Sequence, residues 1–512
     1  MDKKHALLLG IDFGTGGCKV TAVSAATGAV VAEASVEYPT EFARPGWSEQ
    51  NPEDWYPAMC RAIAATAAKG ADMSKVSAVA FDGSTHNAVL LDAEMKPVRK
   101  TIMWTDQRSV AECAFLREKY GEKIFKTAYQ TPSPTWTLPQ MMWLKNNEPE
   151  VLKRTKRVLF VKDYVRYLVT GIAVTDRIEA QGTLFFDMEK MSWSAELVEL
   201  SGLDYNALPE IVEPTAAVGN FSQKASLDTG IAQGVPVVCG TSDSAVEDYG
   251  AGAIEAGDCI IKLATAGNVN VMTNSAHPFK KTLTYSHVIA GMWYTVSATN
   301  AAALCQRWFR DVFCDAEKAA ASAGKSAFSL MDELAEKSEI GARGVMFHPY
   351  LQGERSPYWD ADLRASFTGI SISSTKGDFI RAMLEGIAFS LRDCYGVIGE
   401  MGLPVERIFL IGGGARSKLW SEIIADVFGV SVSVPIPGDA SYGSALLAGV
   451  GTGVFETPAQ AVRKCLKIDR VVRPNISNAE RYSELFKKYK SVHDVLAPVY
   501  KQYKQQLCER KK

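Results

Sequence analysis

A glycine-rich hairpin that occurs twice limits the possible folds of this chain more than any other feature. Leu7 to Val23 reads strand, turn, strand, with Asp12 near the end of the first strand, Gly14-Thr15-Gly16-Gly17 at the turn and Lys19 just beyond it. Asp258 to Met272 reads the same way around Ala264-Thr265-Ala266-Gly267-Asn268. The run after each turn is strand-like, so neither copy is the strand-to-helix loop that wraps phosphates in P-loop proteins. One copy opening each half predicts two similar domains, residues 1–252 and 253–512, facing each other across a cleft.

Each turn has a plain reading as a turn and a chemical one. Chemically, Thr15, Gly16 and Gly17 in one copy, and Thr265 and Gly267 in the other, leave backbone N–H groups to form an anion-binding concavity. Lys19 adds a point charge, and Asp12 can hold Mg²⁺ through water. A third cluster, Gly412-Gly413-Gly414-Ala415-Arg416-Ser417-Lys418, follows the apolar run from Arg407 and leads into a helix predicted to end near Phe428, at Gly429. A helix start with so little side chain in the way, at Gly413, Gly414, Ala415 and Lys418, suits a nucleotide phosphate.

Near the middle, the apolar run Val235 to Cys239 passes through Gly-Thr-Ser to Asp243 and then into a small-residue segment suited to close helix packing. Asp243 either caps the following helix or stands at the carboxyl end of a buried strand, where α/β sheets bind ligands. Val76 to Ala80 is a further strand opening into Phe81-Asp82-Gly83-Ser84-Thr85-His86-Asn87. His86 is either a satisfied core histidine or a ligand-facing one.

With 56 basic against 58 acidic residues, nothing attracts the chain globally to nucleic acid or to a membrane, so a small-molecule partner is expected. The ten cysteines show no C-x-x-C pair or disulfide-like spacing. That usage, with neither a signal-peptide core nor a membrane-spanning run, predicts a soluble cytoplasmic protein.

Taken together, Ile11-Asp12-Phe13-Gly14-Thr15, Trp104-Thr-Asp106-Gln-Arg108, Lys162-Asp163-Tyr164, Asp243, Pro349 to Pro357 and Gly412 to Arg416 resemble the FGGY carbohydrate kinases, and among them most closely the xylulose kinases. Ala365-Ser-Phe367-Thr-Gly369-Ile370, followed by Asp378 to Glu385, is similar to that family's second signature. The resemblance implies an α/β, actin-like ATPase fold: two ribonuclease-H-like domains with ATP and sugar in the cleft, closing on binding. It implies ATP-dependent transfer of the γ-phosphate to a terminal hydroxyl of a ketopentose, D-xylulose first, with Mg²⁺ at Asp12 and Asp243. In that reading Asp243 is the catalytic base, and Thr85, His86, Asp106 and Asp243 meet the sugar. Asp106 and Arg108 have a second reading as a pair that holds their loop, and so do Glu354 and Arg355. A small-residue helix around Ala440 to Leu447 is expected behind the third glycine loop, and Asp378 is expected to cap a long core helix.

Some positions depart from the family's pattern. Gln140 follows Pro139 where a basic residue is usual, Ser84-Thr85 replaces Gln-Met, Ser244 replaces an amide, and the second hairpin reads Ala264-Thr265-Ala266-Gly267. These leave ribulose, a pentitol, gluconate or glycerol open as acceptors, and an actin-like ATPase without a sugar substrate as a different class. The stretch from Ala479 carries Tyr482, Leu485, Phe486, Tyr489, Val492 and Leu496 at helical spacing. It reads as a packing helix or as the contact of a homodimer.

Overall fold

Both hairpins form where the residue pattern places them. In the computed structural model, which describes residues 5–322 and 324–509 with side chains to residue 503, Leu7–Gly14 pairs antiparallel with Gly17–Ser24, and Asp258–Leu263 with Gly267–Thr273. A third antiparallel strand extends each hairpin, Val30–Glu37 in the first half and Trp293–Thr299 in the second. On the other side of the first hairpin strand lie parallel strands, Val76–Gly83 then Pro236–Ser242, and Arg407–Ile411 then Val432–Ile436. Edge strands complete a six-stranded and a seven-stranded sheet that share this core order. This is the two-domain, actin-like arrangement of ribonuclease-H-like cores expected from the sequence.

Strand ends in the first sheet are set by a local irregularity. Gly240 has φ +70°, and a Cβ there would lie 1.8 Å from the carbonyl oxygen of Phe81. Only glycine fits, and the register between Pro236–Ser242 and Val76–Gly83 shifts at this point. The shift leaves Thr241 opposite Asp82, and Asp82 is in turn opposite Asp12. Three parallel strands therefore end abreast with polar side chains.

Helix Trp55–Ala68 packs on the strands of the first meander, and helices Lys376–Glu400 and Lys418–Phe428 pack on the second sheet. The long helix buries Ile380, Met383, Leu384, Ile387, Leu391, Cys394 and Ile398, as its spacing predicts. Its cap differs from expectation. Thr375 is the N-cap and Asp378 the third helical residue, and the two close a capping box: Asp378 N donates to Thr375 Oγ1, and Thr375 N donates to the Asp378 carboxylate.

The small-residue helix Ala440–Gly451 also lies elsewhere than expected. It packs on Leu7–Gly14, Val76–Gly83 and helix Asp243–Gly250. The fit is so close that a Cβ on Gly10 would sit 1.8 Å from Ser441 O, and one on Gly443 would sit 2.1 Å from Val246 O. Glycines at this crossing let backbones touch, so the second half of the chain contributes a helix to the first sheet, and one core cluster spans both halves.

The last helix, Ile476–Glu509, packs through its first half. Tyr482 and Tyr489 are fully buried; Tyr482 Oη donates to Glu385 Oε1 at 2.8 Å, and the Tyr489 hydroxyl meets that of Tyr350 at 3.0 Å. Among the described residues no helix is long and apolar enough to cross a membrane.

Candidate active site

The ends of the three abreast strands, with the helix that follows the last of them, gather acidic side chains. Asp243 opens helix Asp243–Gly250, but the N-cap is Ser242, so the capping reading of Asp243 does not describe its geometry. Its Oδ1 accepts from Ser244 N at 2.7 Å and Ser244 Oγ at 3.2 Å, and Thr85 Oγ1 approaches at 3.4 Å. Oδ2 has no partner among the described residues. Burial raises the Asp243 pKa, and the nearby Lys262 ammonium opposes that rise.

Asp12 Oδ1 is buried without a partner, and burial pushes this carboxyl up to about 7 against the opposing effect of a hydrogen bond between the Asp12 and Asp82 side chains. Asp82 beside it is pushed well above the usual carboxylate range, again mainly by burial and then by the Asp12 charge; its Oδ2 accepts from Ser444 Oγ at 2.5 Å. Asp243, Asp439 and Glu247 add further negative charge around Asp12. Carboxyl groups so crowded resist ionising together unless a cation joins them.

The first hairpin tip is held from outside. Thr15 Oγ1 accepts from Trp104 Nε1 at 2.9 Å, its carbonyl accepts from Gln50 Nε2 at 2.7 Å, and Gly16 is exposed with open space where a Cβ would be. A Cβ on Gly17 would lie 2.7 Å from Val36 O, so this glycine serves strand packing. Lys19 is not a free charge: its ammonium is 2.7 Å from Asp439, the N-cap of helix Ala440–Gly451, and 2.8 Å from Glu33.

In the second hairpin Thr265 is exposed, and its Oγ1 accepts from Arg307 Nη2 at 2.6 Å. Gly267 is buried; a Cβ there would meet Leu391 and Thr299 at 2.9 Å, a packing requirement rather than a ligand approach. In the third cluster Gly413 is exposed with nothing near a Cβ, whereas a Cβ on Gly414 would strike Leu263 and the Trp420 ring at 2.7 Å. Ala415 offers its carbonyl to Arg470, and Lys418 is exposed at the start of helix Lys418–Phe428.

His86 sits where strand Val76–Gly83 gives way to a turn, in the left-handed region at φ 54°. Its N–H donates to the Glu179 carboxylate, and its carbonyl accepts from Thr137 Oγ1 at 2.7 Å. The ring lies 5.0 Å from Trp136, over Gly182, where a Cβ would come within 2.7 Å of it. Burial lowers its pKa to about 3, so the imidazole is neutral, and Nδ1 is buried without a partner. A neutral ring with one uncommitted nitrogen suits a hydroxyl ligand.

Asp106 has both oxygens filled. They accept from Ser48 N at 2.6 Å and from Arg108 N, Nε and Nη2 at 2.8–2.9 Å, while Arg108 stacks on Trp47 at 3.7 Å and pairs with Glu49 at 2.7 Å. This geometry is that of the loop-holding pair, and it leaves Asp106 no oxygen to offer a sugar. Glu354 likewise braces a turn, accepting from Thr299 Oγ1 at 2.6 Å, Asn300 N at 2.8 Å and Arg355 N at 2.7 Å, with burial raising it to about 7. The Arg355 guanidinium donates to Thr299 O at 3.1 Å.

The chain matches the FGGY family of carbohydrate kinases with its N-terminal domain over residues 7–250 and its C-terminal domain over residues 261–452. It belongs to that family. The kinase is 31% identical to a xylulose kinase of Bacillus subtilis over 490 residues, 95% of this chain and 96% of that one. It is 28% identical over 454 residues to a gluconokinase of the same species, covering 88% and 87% of the two chains. Among solved structures it is similar to the xylulose kinase of Rhodospirillum rubrum, with a TM-score of 0.85, 27% identity and coverage of 96% and 99%. A carbohydrate kinase moves a phosphoryl group to a sugar hydroxyl, and ATP is the donor in this family.

Sequence reasoning left several residues of the candidate site without a role. Asp82 was legible as a second carboxylate at a parallel strand end. Lys262 was legible from the repeat itself, since it precedes Thr265 by the same interval by which Asp12 precedes Thr15. Glu247, one turn beyond Asp243 and paired with Lys262, could have been found from helical spacing. Trp136, Glu179 and Arg307 come from distant segments and carry no local signal.

Proposed function

We propose that this kinase phosphorylates a terminal hydroxyl of a ketopentose, D-xylulose first, using ATP and Mg²⁺. The observation that carries the reading is Asp243. It is a carboxylate at a strand end with one oxygen uncommitted, beside Thr85 in the segment that also carries His86, with a glycine-rich hairpin from each half of the chain nearby. In-line transfer needs a group to orient the acceptor and take its proton, and Asp243 serves as that base. Thr85 and the neutral His86 ring hydrogen-bond the sugar, and Trp136 walls it. The turns at Thr15 to Gly17 and Thr265 to Gly267 take the phosphates, and Gly413 to Lys418 the rest of the nucleotide.

The residues fit Mg²⁺. Asp12 Oδ1 is a buried, partnerless oxygen among crowded carboxyl groups, and Mg²⁺ is ordinarily held by one or two carboxylates together with water and substrate phosphates. Asp12 and Asp243 would hold it, and when bound it supplies charge neutralisation at the phosphate oxygens. Closure of the cleft excludes water, which would otherwise compete as acceptor.

The acceptor is supported by the xylulose kinases among the relatives, and the gluconokinase among them is the reason to test an acid as well. Coupled ADP release is measured over D-xylulose, ribulose, pentitols, gluconate and glycerol. Stimulation greatest with D-xylulose is expected. A preference for gluconate would overturn the ketopentose assignment, and ATP hydrolysis unaffected by every acceptor would overturn the sugar-kinase mechanism drawn here.

A further inference from the structure

A nucleoside triphosphate is highly anionic, and the cleft is poorly furnished to receive it. The carboxyl groups of Asp12, Asp82, Asp243, Glu247 and Asp439 act on one another there, and among the described residues the ammonium groups that act on them are those of Lys19 and Lys262. Both are committed: Lys19 to Asp439 and Glu33, Lys262 to Glu247. Neither is free to meet a transferring phosphoryl group, whose oxygens carry charge that must be balanced in the transition state.

Helix Ala303–Phe313 follows strand Trp293–Thr299 and starts against the turn of the second hairpin. Ala302 N and Ala303 N donate to the carbonyls of Thr265 and Ala264 at 2.9 and 2.7 Å, which fixes the helix start against the hairpin tip. One turn later Arg307 reaches back, and its Nη2 donates to Thr265 Oγ1 at 2.6 Å. Arg307 is exposed, and among the described residues it has no carboxylate partner. A guanidinium has five donors in a fixed fork, of which this contact uses one. Arg416 and Lys418 are also exposed and without an ion pair among the described residues, but they lie at the third loop, which serves the rest of the nucleotide in the reading above.

We propose that Arg307 is a catalytic residue that contacts the phosphoryl group in transfer, presented to it by Thr265 at the tip of the second hairpin. The inference rests on the ATP-dependent reading above and deepens it. A guanidinium aimed at the terminal phosphate distinguishes ATP from ADP, whereas a residue that only anchors the hairpin does not.

The test compares Arg307→Gln, Arg307→Lys and Thr265→Val with the parent, by calorimetry of ATP and of ADP without acceptor and by kcat with the best acceptor of the panel. Loss of one charge-stabilising donor typically costs ~10²–10³-fold in kcat, and that loss is expected for Arg307→Gln. ATP affinity should weaken and ADP affinity hold, with partial recovery in Arg307→Lys and a smaller loss in Thr265→Val. Equal weakening of ATP and ADP, with Thr265→Val matching Arg307→Gln, would reduce Arg307 to an anchor and overturn the proposal, as would an unchanged kcat in Arg307→Gln. Because nucleotide binding is read without a sugar, a wrong acceptor assignment leaves the ATP–ADP comparison intact.

Discussion

Asp243→Asn separates chemistry from architecture at the centre of this site. The substitution keeps the shape of the side chain and an oxygen able to accept from Ser244 N and Thr85, the contacts made by Oδ1 in the structure. It removes the proposed base and one negative charge. General-base contributions are ~10²–10⁴-fold, equivalent to about 2.7–5.4 kcal/mol of barrier, so kcat should fall within that range. Stability should not fall with it. Ser242, not Asp243, is the N-cap, and removing one carboxylate relieves repulsion on Asp12 and Glu247, both of which Asp243 pushes upward. Melting temperature, ATP affinity and kcat are measured on the one variant. A folded, ATP-binding Asp243→Asn protein with nearly full turnover would refute the catalytic assignment.

Two further substitutions test the surroundings. Gly413→Val places a side chain in open space at the third loop and should weaken ATP binding without lowering the melting temperature, whereas Gly414→Val, driven into Leu263 and Trp420, should destabilise the fold; unchanged ATP affinity in Gly413→Val would remove the loop from the nucleotide site. Asp248 is buried, accepts from Asn270 Nδ2 at 2.8 and 3.0 Å, and is raised by burial to about 8. Its folded state therefore favours the proton, so its contribution to stability is full below the unfolded pKa near 4 and is lost as pH rises through about 8, by at most about 1.4 kcal/mol per pH unit. Asp248→Asn cannot ionise and should lose less stability than the parent over that window in thermal melts; identical slopes would refute the shift.

The sheets were legible in the sequence because strand alternation and glycine turns are local signals. Both hairpins, the run into Asp243 and the helix ending at Gly429 stand where those signals put them. What escaped was set by distant segments. The fate of Lys19 was decided by Asp439, far along the chain, and that of helix Ala440–Gly451 by a backbone contact with Gly10. Small residues announce that something packs closely without saying what. The oxygens of Asp106 were claimed by Ser48 and Arg108, and the neutrality of His86 by burial against Trp136 and over Gly182. Charge pairing was the least legible property, because an ammonium reads as available until its partner is found.

The duplicated hairpin also gives the two halves of the candidate site opposite charges at equivalent positions. Asp12 and Lys262 occupy equivalent positions, each one strand residue before the same approach to a turn threonine, yet they carry opposite charges. In the first copy the carboxylate lies beside Asp82 and Asp243 and keeps a buried oxygen without a partner. In the second copy the ammonium is drawn to Glu247, so it holds that carboxylate in place rather than meeting a ligand. A duplicated frame thus presents a carboxylate with an unpartnered oxygen from one half and an internally neutralised ammonium from the other. In the proposed mechanism the positive charge that meets the phosphates on the second side comes from outside the repeat. Arg307, on the helix that follows strand Trp293–Thr299 and starts against the tip of the second hairpin, is the residue we propose for that role.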